Sequence, residues 1–309
     1  MRALAILLHL ATLLAGPILL VGVVNRTKSI WVGRKGVPLL QLGYDLARLV
    51  RKRPVYSTVA TVIVRWAPFV ALGTALVSGL FVPLVGQGAP ISFPFDFVFV
   101  AYCWGLGRLF LMLGALDTGS AFEGMGASRE ATYSALVEPA LFLAAGSLAA
   151  SVGSSAFADL LRIRLDTPAS VIVWGGAIAA LFVLLQVESA RVPVDDPATH
   201  LELTMIHEVM VLDHSGSDLA AIQYAAAVKM LVGAGILAAL LNPIDPARSA
   251  GVYGVVNVGL ILAVGVVVGT IESLMARLKL KVLPQYTFGA LVAALLSVLA
   301  SAWRVGIPG

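Results

Sequence analysis

Acidic side chains within apolar surroundings are the groups in this sequence whose types and positions could do chemistry. Seven lie in or beside long apolar runs: Glu123, Glu138, Glu188, Glu202, Glu208, Asp213 and Glu272. Four basic residues are their possible partners: Arg65, Arg108, Arg191 and Lys229. Carboxylates at membrane depth are costly and mark functional sites. When several lie together and partly desolvated, they titrate as a coupled set and can relay protons near neutral pH.

The same acids also fit a structural explanation, in which ion pairs stabilise a bundle of helices. Seven acids are more than ion pairing alone would require, so the sequence favours a relay. Lys229 and Glu272 lie towards the ends of their apolar runs, and each could instead reach the membrane interface by snorkelling. Both alternatives stay open for these two residues.

The composition places these groups in a membrane protein. Of the 309 residues, 59% are hydrophobic and 12% are charged, whereas soluble domains carry about 25% charged residues. A membrane-spanning helix needs about 20 apolar residues. We therefore predict an all-α integral membrane protein, a single polytopic domain over residues 1–309, with short amphipathic helices at its cytoplasmic face. The predicted transmembrane helices cover about 3–24, 55–85, 97–116, 136–156, 168–190, 220–241, 250–273 and 286–304.

Basic residues are distributed unevenly between the two ends of these spans. The connections on one side of the membrane hold 13 Lys or Arg, and the connections and chain ends on the other side hold 5. Eight of the 13 lie between Arg26 and Arg53. The positive-inside rule then predicts that both termini lie outside and that the basic connections face the cytoplasm. A nucleic-acid-binding patch is the weaker interpretation, because a cytoplasmic loop accounts for the same residues.

Local signals predict how several of the acids are presented. Gly124 and Gly126 predict a break in the helix, with a new helix starting at Ser128 as its cap. A carboxylate beside a proline, at Glu138 and Pro139, predicts a locally opened helix that faces a polar cavity.

An acidic segment follows the fifth span, beginning at Glu188 and running to Gly216. Its second half has a helical pattern. Three histidines recur there at intervals of seven residues: His200, His207 and His214. On one helix, neighbours at this spacing lie about 10.5 Å apart, too far for one metal ion. We therefore predict a polar stripe on a loop helix and no metal site.

No motif for bond chemistry is present. The sequence lacks a P-loop, a dinucleotide glycine signature and a nucleophile elbow. Cys103 is the single cysteine, so the chain cannot form an internal disulfide, and it cannot by itself supply the several thiolates of an iron–sulfur cluster. We predict no catalytic residue, metal or cofactor in this chain.

The basic loop contains a second helical pattern. From Leu39, apolar residues recur at helical spacing, which predicts a short amphipathic helix. Such a helix could lie on the lipid surface, held by basic residues. It could also be a platform for another protein, and the pattern alone favours the lipid surface.

Two motifs in this order resemble the complex I subunit 1 family over essentially the whole chain. The motifs are Glu188-x-x-Arg191-x-Pro193-x-Asp195 and a basic loop with Arg34-x-Gly36 and Leu40-Gln41 before Asp45. The segments VDDPATHLELTMIHEVMVLDHSG and LDTGSAFEGMGASRE are most similar to the hydrogenase branch of that family. This branch comprises membrane subunits of formate hydrogenlyases and other energy-converting nickel–iron hydrogenases.

The resemblance implies the partners of this chain. A prokaryotic cytoplasmic membrane would hold it beneath a hydrogenase large subunit and an iron–sulfur small subunit, which would carry the nickel–iron site and the clusters. Antiporter-like membrane subunits would lie beside it in the bilayer. No nucleic acid is implied.

The resemblance also assigns roles to residues. The implied function is to anchor the soluble module and to couple its redox turnover to proton or sodium translocation through buried carboxylates. The implied proton relay comprises Glu138, Glu188, Asp213, Glu123, Glu208, Glu272 and Lys229, with Arg191 tuning Glu188 electrostatically. The implied docking surface for the soluble subunits comprises Arg34, Lys35, Asp195, Asp196 and Glu202.

Three other functions compete with this one. The first is a quinone-binding subunit of a complex I-like oxidoreductase, although Val194 after Pro193 and Asp196 after Asp195 depart from that family's pattern. The second is a purely structural membrane anchor. A stand-alone transporter fits least well, because no internal repeat is visible.

Overall fold

The computed structural model describes residues 2–86, 88–195, 205–246, 249–276 and 278–306. Its helices are α1 (Arg2–Trp31), α2 (Gln41–Val50), α3 (Val62–Gly79), α4 (Asp96–Asp117), α5 (Ala121–Val152), α6 (Phe157–Leu160), α7 (Pro168–Glu188), α8 (Gly216–Leu241), α9 (Ala250–Leu274) and α10 (Leu283–Gly306). Across these residues, eight helices are long and apolar enough to cross a membrane. These are all the helices except α2 and α6, and the predicted all-α membrane fold is confirmed.

Helix α8 lies at the centre of the bundle and packs against α1, α3, α7 and α9. Its sequence is rich in Gly and Ala, which allows close approach of neighbouring helices. Gly233 faces the Leu185 side chain of α7, and Gly235 faces Leu84 in the connection after α3. Of the remaining spans, α4 packs on α3, and α5 and α10 pack on α7. Many large apolar side chains of the spans are exposed, as a lipid environment requires.

The two ends of the bundle differ in charge. The end with the basic loop, called the basic end here, holds the connections that follow α1, α4, α7 and α9. At the opposite end, polar side chains of the helices contact backbone groups near the connections. There Asn257 donates to the carbonyls of Pro83 (3.1 Å) and Leu84 (2.9 Å). Asp96 Oδ1 accepts a hydrogen bond from the Phe157 backbone N–H (2.6 Å).

Helix α5 is continuous, so the predicted break at Gly124 and Gly126 and the new start at Ser128 are wrong. Gly126 is instead a packing position inside the helix. A Cβ there would overlap the Val209 side chain and press against the carbonyl oxygen of Ile206. The glycine allows the segment after α7 to approach the helix, and a tertiary contact of this kind is not visible in the local sequence.

The predicted loop helix between α7 and α8 is not formed in the described residues. Residues 205–215 contain only a 3₁₀ turn, Glu208–Val211. His207 and His214 therefore do not share a helical stripe, and the prediction of such a stripe is wrong. His200 lies outside the described residues.

The amphipathic helix predicted in the basic loop is α2, and none of its residues is fully buried. It rests on α8 and α1 at the basic end. Its Tyr44 and Val50 side chains are exposed. Both a lipid surface and a partner protein fit this exposure, so the two alternatives from the sequence remain.

Two glycines near the start of α9 provide a test of the packing at the opposite end. A Cβ at Gly254 would overlap the carbonyl oxygen of Val85, whereas a Cβ at Gly251 meets nothing within 4 Å. We expect Gly254→Ala to destabilise the protein by about 1–3 kcal/mol, because backbone atoms cannot move aside cheaply. Gly251→Ala is the matched control and should leave the melting temperature in detergent unchanged. Equal melting temperatures for the two variants would contradict this packing.

Candidate functional site

Arg108, near the middle of α4, contacts three carboxylates. Its Nε lies 3.3 Å from Glu130 Oε1 and its Nη1 lies 2.5 Å from Glu138 Oε1. Its Nη2 contacts Glu188 Oε1. The two glutamates of α5 lie eight residues apart, so a continuous helix brings both to the same guanidinium. The planar, multi-donor guanidinium suits this arrangement, and a lysine ammonium could not reproduce it.

Glu188 joins Arg108 to a second cation. Its Oε2 lies 3.0 Å from Lys229 Nζ, and the side chains of Glu188 and Lys229 are only 3% and 8% exposed. Helix α7 ends at Glu188, beside the middle of α8, because the chain turns back at Ala190 (φ 50°). The last residue of one span therefore meets the midpoint of another. Arg108, Glu130, Glu138, Glu188 and Lys229 are called the central cluster below.

The central cluster contains more acidic than basic side chains. Three carboxylates face two cations, which leaves one negative charge when every group is ionised. Buried charges are stable only when they are paired and hydrogen-bonded. Binding of one proton would balance the set, and this is chemistry that an evenly matched set of ion pairs lacks.

A cavity of about 70 Å³ adjoins the central cluster. Arg108, Glu138 and Glu188 line it together with Tyr102 and Phe142. This volume admits water molecules, which could carry protons to the carboxylates. The cavity expected beside Glu138 is present, but α5 remains helical through Pro139, so the predicted local opening is wrong.

A second ion-pair group lies at the basic end. Glu272 of α9 pairs with Lys28 of α1 (Nζ to Oε2, 2.8 Å) and with Arg191 after α7 (Nη1 to Oε1, 3.5 Å). These three residues are called the end cluster below. Glu188 and Arg191 are three residues apart, so the turn after α7 connects the two clusters covalently.

The sequence comparison is decisive for the family. The NADH dehydrogenase family matches residues 4–302, which is nearly the whole chain. The chain belongs to the NADH dehydrogenase family. This match confirms the resemblance to the complex I subunit 1 family. The two relatives described next confirm the resemblance to its hydrogenase branch.

Curated relatives of this chain are components of formate hydrogenlyase and hydrogenase systems by name. Formate hydrogenlyase subunit 4 of Escherichia coli is 28% identical over 292 residues, which cover 92% of this chain and 94% of that protein. Hydrogenase-4 component C of Escherichia coli is 28% identical over 236 residues, covering 74% and 72% respectively.

A solved structure shares the fold. One chain of the membrane-bound sulfane sulfur reductase, an archaeal respiratory membrane complex, aligns with a TM-score of 0.80 at 17% identity. The alignment covers 97% of this chain and 99% of that chain.

In this member of the NADH dehydrogenase family, the structure places several residues of the predicted relay in surroundings that the sequence did not predict. Arg191 pairs with Glu272, whereas Glu188 pairs with Arg108 and Lys229. The electrostatic tuning of Glu188 by Arg191 stays a prediction. Lys229 and the Glu272 side chain are buried in ion pairs, which excludes snorkelling to the membrane interface for both. Glu208 is half-buried at the start of the 3₁₀ turn.

Glu123 and Asp213 meet at the basic end of α5. Glu123 is fully buried, and its Oε1 accepts a hydrogen bond from the backbone N–H of Asp213 (2.9 Å). Asp213 itself is exposed. The pair places an exposed carboxylate next to a buried one, as the entry of a proton path would require.

The predicted docking residues divide into two groups. Arg34 and Lys35 are exposed on the loop after α1, in agreement with a contact surface. Asp195 is 1% exposed, and its Oδ2 accepts hydrogen bonds from the backbone N–H groups of Ile206 (3.1 Å) and His207 (2.8 Å). Asp195 thus holds the loop together internally, and its predicted place on the surface is wrong. Asp196 and Glu202 lie outside the described residues.

The structure also brings together residues that the sequence interpretation did not use. Glu130 pairs with Arg108 in the central cluster, and Lys28 pairs with Glu272 in the end cluster. Neither Glu130 nor Lys28 was predicted as a site residue. Glu130 lies seven residues after Glu123, a spacing that places both on one helical face. That signal would have been readable had the helix not been assumed to break between them.

Two hydrogen bonds hold the segment before α3 against the start of α8, and together they are called the clamp below. The Tyr56 hydroxyl donates to Asp218 Oδ2 (2.7 Å), and the Val55 N–H donates to Ser215 Oγ (3.0 Å). Burial, reinforced by the hydrogen bond and charge of Asp218, raises the pKa of Tyr56 to about 12. Burial lowers the pKa of the adjacent His214, against the opposing effect of Asp218, so this imidazole is neutral at pH 7.

We expect Tyr56→Phe to weaken this clamp by about 1 kcal/mol, the usual net contribution of one such hydrogen bond. Because the folded-state pKa lies above the ordinary value of 10.0, this stabilisation is complete below pH 10 and disappears as the pH rises through about 12. Amide hydrogen exchange of Val55 at neutral pH should accelerate. Tyr44→Phe, on the exposed face of α2, is the control. An unchanged exchange rate at Val55 would show that the phenol does not hold the segment.

Proposed function

We propose that this chain is the membrane subunit of an energy-converting nickel–iron hydrogenase complex of the formate hydrogenlyase type. The two Escherichia coli relatives support this assignment, since one matches over more than nine-tenths of both chains. In this role the chain anchors a hydrogenase large subunit and an iron–sulfur small subunit at the cytoplasmic face of the membrane. Antiporter-like subunits adjoin it within the bilayer, and both termini lie on the outer side.

The redox groups of such a complex belong to the partner subunits. Cys103 is buried within α4 and is the single thiol of the chain, whereas iron–sulfur clusters use several thiolates. In the described part of the chain, no three His, Cys, Asp or Glu side chains are grouped to hold a metal ion. The described residues do not fit a metal centre, and we derive no electron-transfer step through them.

We further propose that this chain couples redox turnover to proton movement. The observation that carries this proposal is the central cluster, where Arg108 and Lys229 hold three carboxylates beside a cavity. Binding of one proton neutralises the excess negative charge of the cluster, and release of that proton restores this charge. Glu188 and Arg191 flank the turn after α7, so a movement of this turn would change both clusters together.

The first test measures dihydrogen evolution by the complex that co-purifies with this chain in mild detergent, with a reduced low-potential dye as electron donor. Evolution of dihydrogen is expected from a hydrogenase. An intact, metal-loaded complex that evolves none would refute the assignment.

The family match supports one alternative function, a quinone-binding subunit of a complex I-like oxidoreductase. In that case the purified complex would reduce a quinone, and a quinone-site inhibitor would block its turnover. The two assays together separate the functions, because each complex responds to only one of them.

A further inference from the structure

We propose that the cavity between the starts of α1 and α9 binds a neutral lipid whose polar end is a hydroxyl group. The cavity has a volume of about 760 Å³, and the connection after α3 forms its third wall. It is called the α1–α9 cavity below. This inference concerns the end of the bundle opposite the basic end, and it does not rest on the proposed function.

Small residues create the α1–α9 cavity. Ala5 lies on the wall formed by α1, and Ala250 and Gly251 lie on the wall formed by α9. A Cβ at Gly251 would meet nothing within 4 Å, so the space beside the α9 backbone is open. The volume of the cavity lies within the range of about 300–1,000 Å³ that is typical of ligand sites.

The walls of the α1–α9 cavity are apolar and uncharged. Among the described residues that line it, His9 is the one polar side chain. A phosphate group would find no cation to pair with there, and burial of an unpaired charge is strongly unfavourable. The cavity therefore suits the apolar chain of a neutral lipid and not the head group of a phospholipid.

The α1–α9 cavity opens on the flank of the bundle. Three of its lining residues are large, apolar and exposed: Leu4 and Leu8 of α1 are 62% and 49% exposed, and Val255 of α9 is 76% exposed. Both helices are long and apolar enough to cross a membrane, and they pack against each other. Since the flanks of such helices contact lipid, a lipid can enter the cavity from the bilayer.

His9 indicates the polar end of the ligand. It is 2% exposed, and its Nε2 donates to the backbone carbonyl of Gly79 at the end of α3 (2.9 Å). In a neutral imidazole Nδ1 is then an acceptor, and this atom is buried with no hydrogen-bond partner among the described residues. An unpaired buried acceptor is costly. A hydroxyl group donates one hydrogen bond and carries no charge, so it satisfies Nδ1 in apolar surroundings.

Two matched probes test the class of ligand. A long-chain alcohol with a photoactivatable diazirine in its chain donates a hydrogen bond, whereas its methyl ether keeps the chain and cannot donate. The intact complex in phospholipid nanodiscs is labelled with increasing amounts of each probe, and mass spectrometry locates the adducts. We expect saturable labelling at the starts of α1 and α9. The alcohol should bind about fivefold more tightly than the ether, because one hydrogen bond separates them.

Filling the cavity gives an independent measurement. Gly251→Trp should lower the saturable labelling by about tenfold, equivalent to about 1.4 kcal/mol, because the indole occupies the space of the ligand. Gly259→Trp is the matched control, since Gly259 also lies on α9 with nothing within 4 Å of its Cβ but does not line the cavity. Ala5→Trp fills the cavity from the α1 wall and repeats the measurement if Gly251→Trp does not assemble.

Variants of His9 test the polar contact. His9→Leu should abolish the preference for the alcohol over the ether. His9→Gln should keep this preference, because an amide can donate to the Gly79 carbonyl and accept from the ligand at the same time.

Three results would overturn the proposal. Equal binding of the two probes by the wild type would exclude a hydroxyl-bearing ligand. Labelling that does not saturate, or that Gly251→Trp and Gly259→Trp lower equally, would show that the probes mark bulk lipid. No labelling of the intact complex would show that a partner subunit covers the cavity. Each readout is a probe adduct, so a failure here is distinguishable from a failure of the hydrogenase assignment.

Discussion

Replacing Arg108 with leucine is expected to destabilise the protein by about 3–5 kcal/mol, the cost of breaking a buried ion pair by removing one partner. The Arg108 side chain is 5% exposed and holds Glu130, Glu138 and Glu188 at once. Without it, three carboxylates share Lys229 as their remaining cation in the cluster. Leucine fills part of the volume but solvates none of the charges, so α4 loses its ion pairs with α5 and α7.

Thermal unfolding in detergent and the amount of protein in the membrane measure this effect. Arg65→Leu is the matched control, since Arg65 is exposed on α3 and lies over the ring of Tyr56. Arg108→Lys should lie between the wild type and Arg108→Leu, because one ammonium cannot contact three carboxylates as a guanidinium does. If Arg108→Leu and Arg65→Leu melt at the same temperature, the central cluster contributes little to stability.

Replacing Glu188 with glutamine is expected to reduce proton translocation to roughly a tenth or less of the wild-type value, as the loss of a proton-transfer group typically does. Glu188 is the single carboxylate that contacts both Arg108 and Lys229 among the described residues. Glutamine keeps the shape of the side chain but cannot release or accept the proton. We expect the assembled complex to persist, because Arg108 retains Glu130 and Glu138.

Proton uptake by proteoliposomes and dihydrogen evolution with a reduced dye separate coupling from chemistry in this variant. Glu188→Gln combined with Lys229→Met is the control that keeps the net charge of the wild-type cluster. It should recover any stability lost by leaving Lys229 unpaired, yet it should remain uncoupled. Loss of the assembled complex in both variants would show that Glu188 is structural. Unaltered proton uptake in both would remove Glu188 from the relay.

Much of the fold was predictable because the membrane imposes strong local requirements. Each span must be a run of about 20 apolar residues with its backbone hydrogen bonds satisfied internally. This constraint acts on consecutive residues, so the eight spans and the class of protein are visible without any tertiary information. The boundaries were less predictable. Helix α5 begins at Ala121 rather than near residue 136, because Gly126 serves helix packing instead of ending the helix.

The sequence by itself determined that this is a multi-pass membrane protein with carboxylates at membrane depth, since hydropathy and charge are properties of each residue. Only the tertiary structure decided which charges meet. Glu188 pairs with Arg108 and Lys229, and Arg191 pairs with Glu272. These contacts depend on where α7 ends relative to the middle of α8 and on how the helices rotate about their axes. Packing between distant segments sets both, and the same packing leaves the Glu138 side chain 44% exposed.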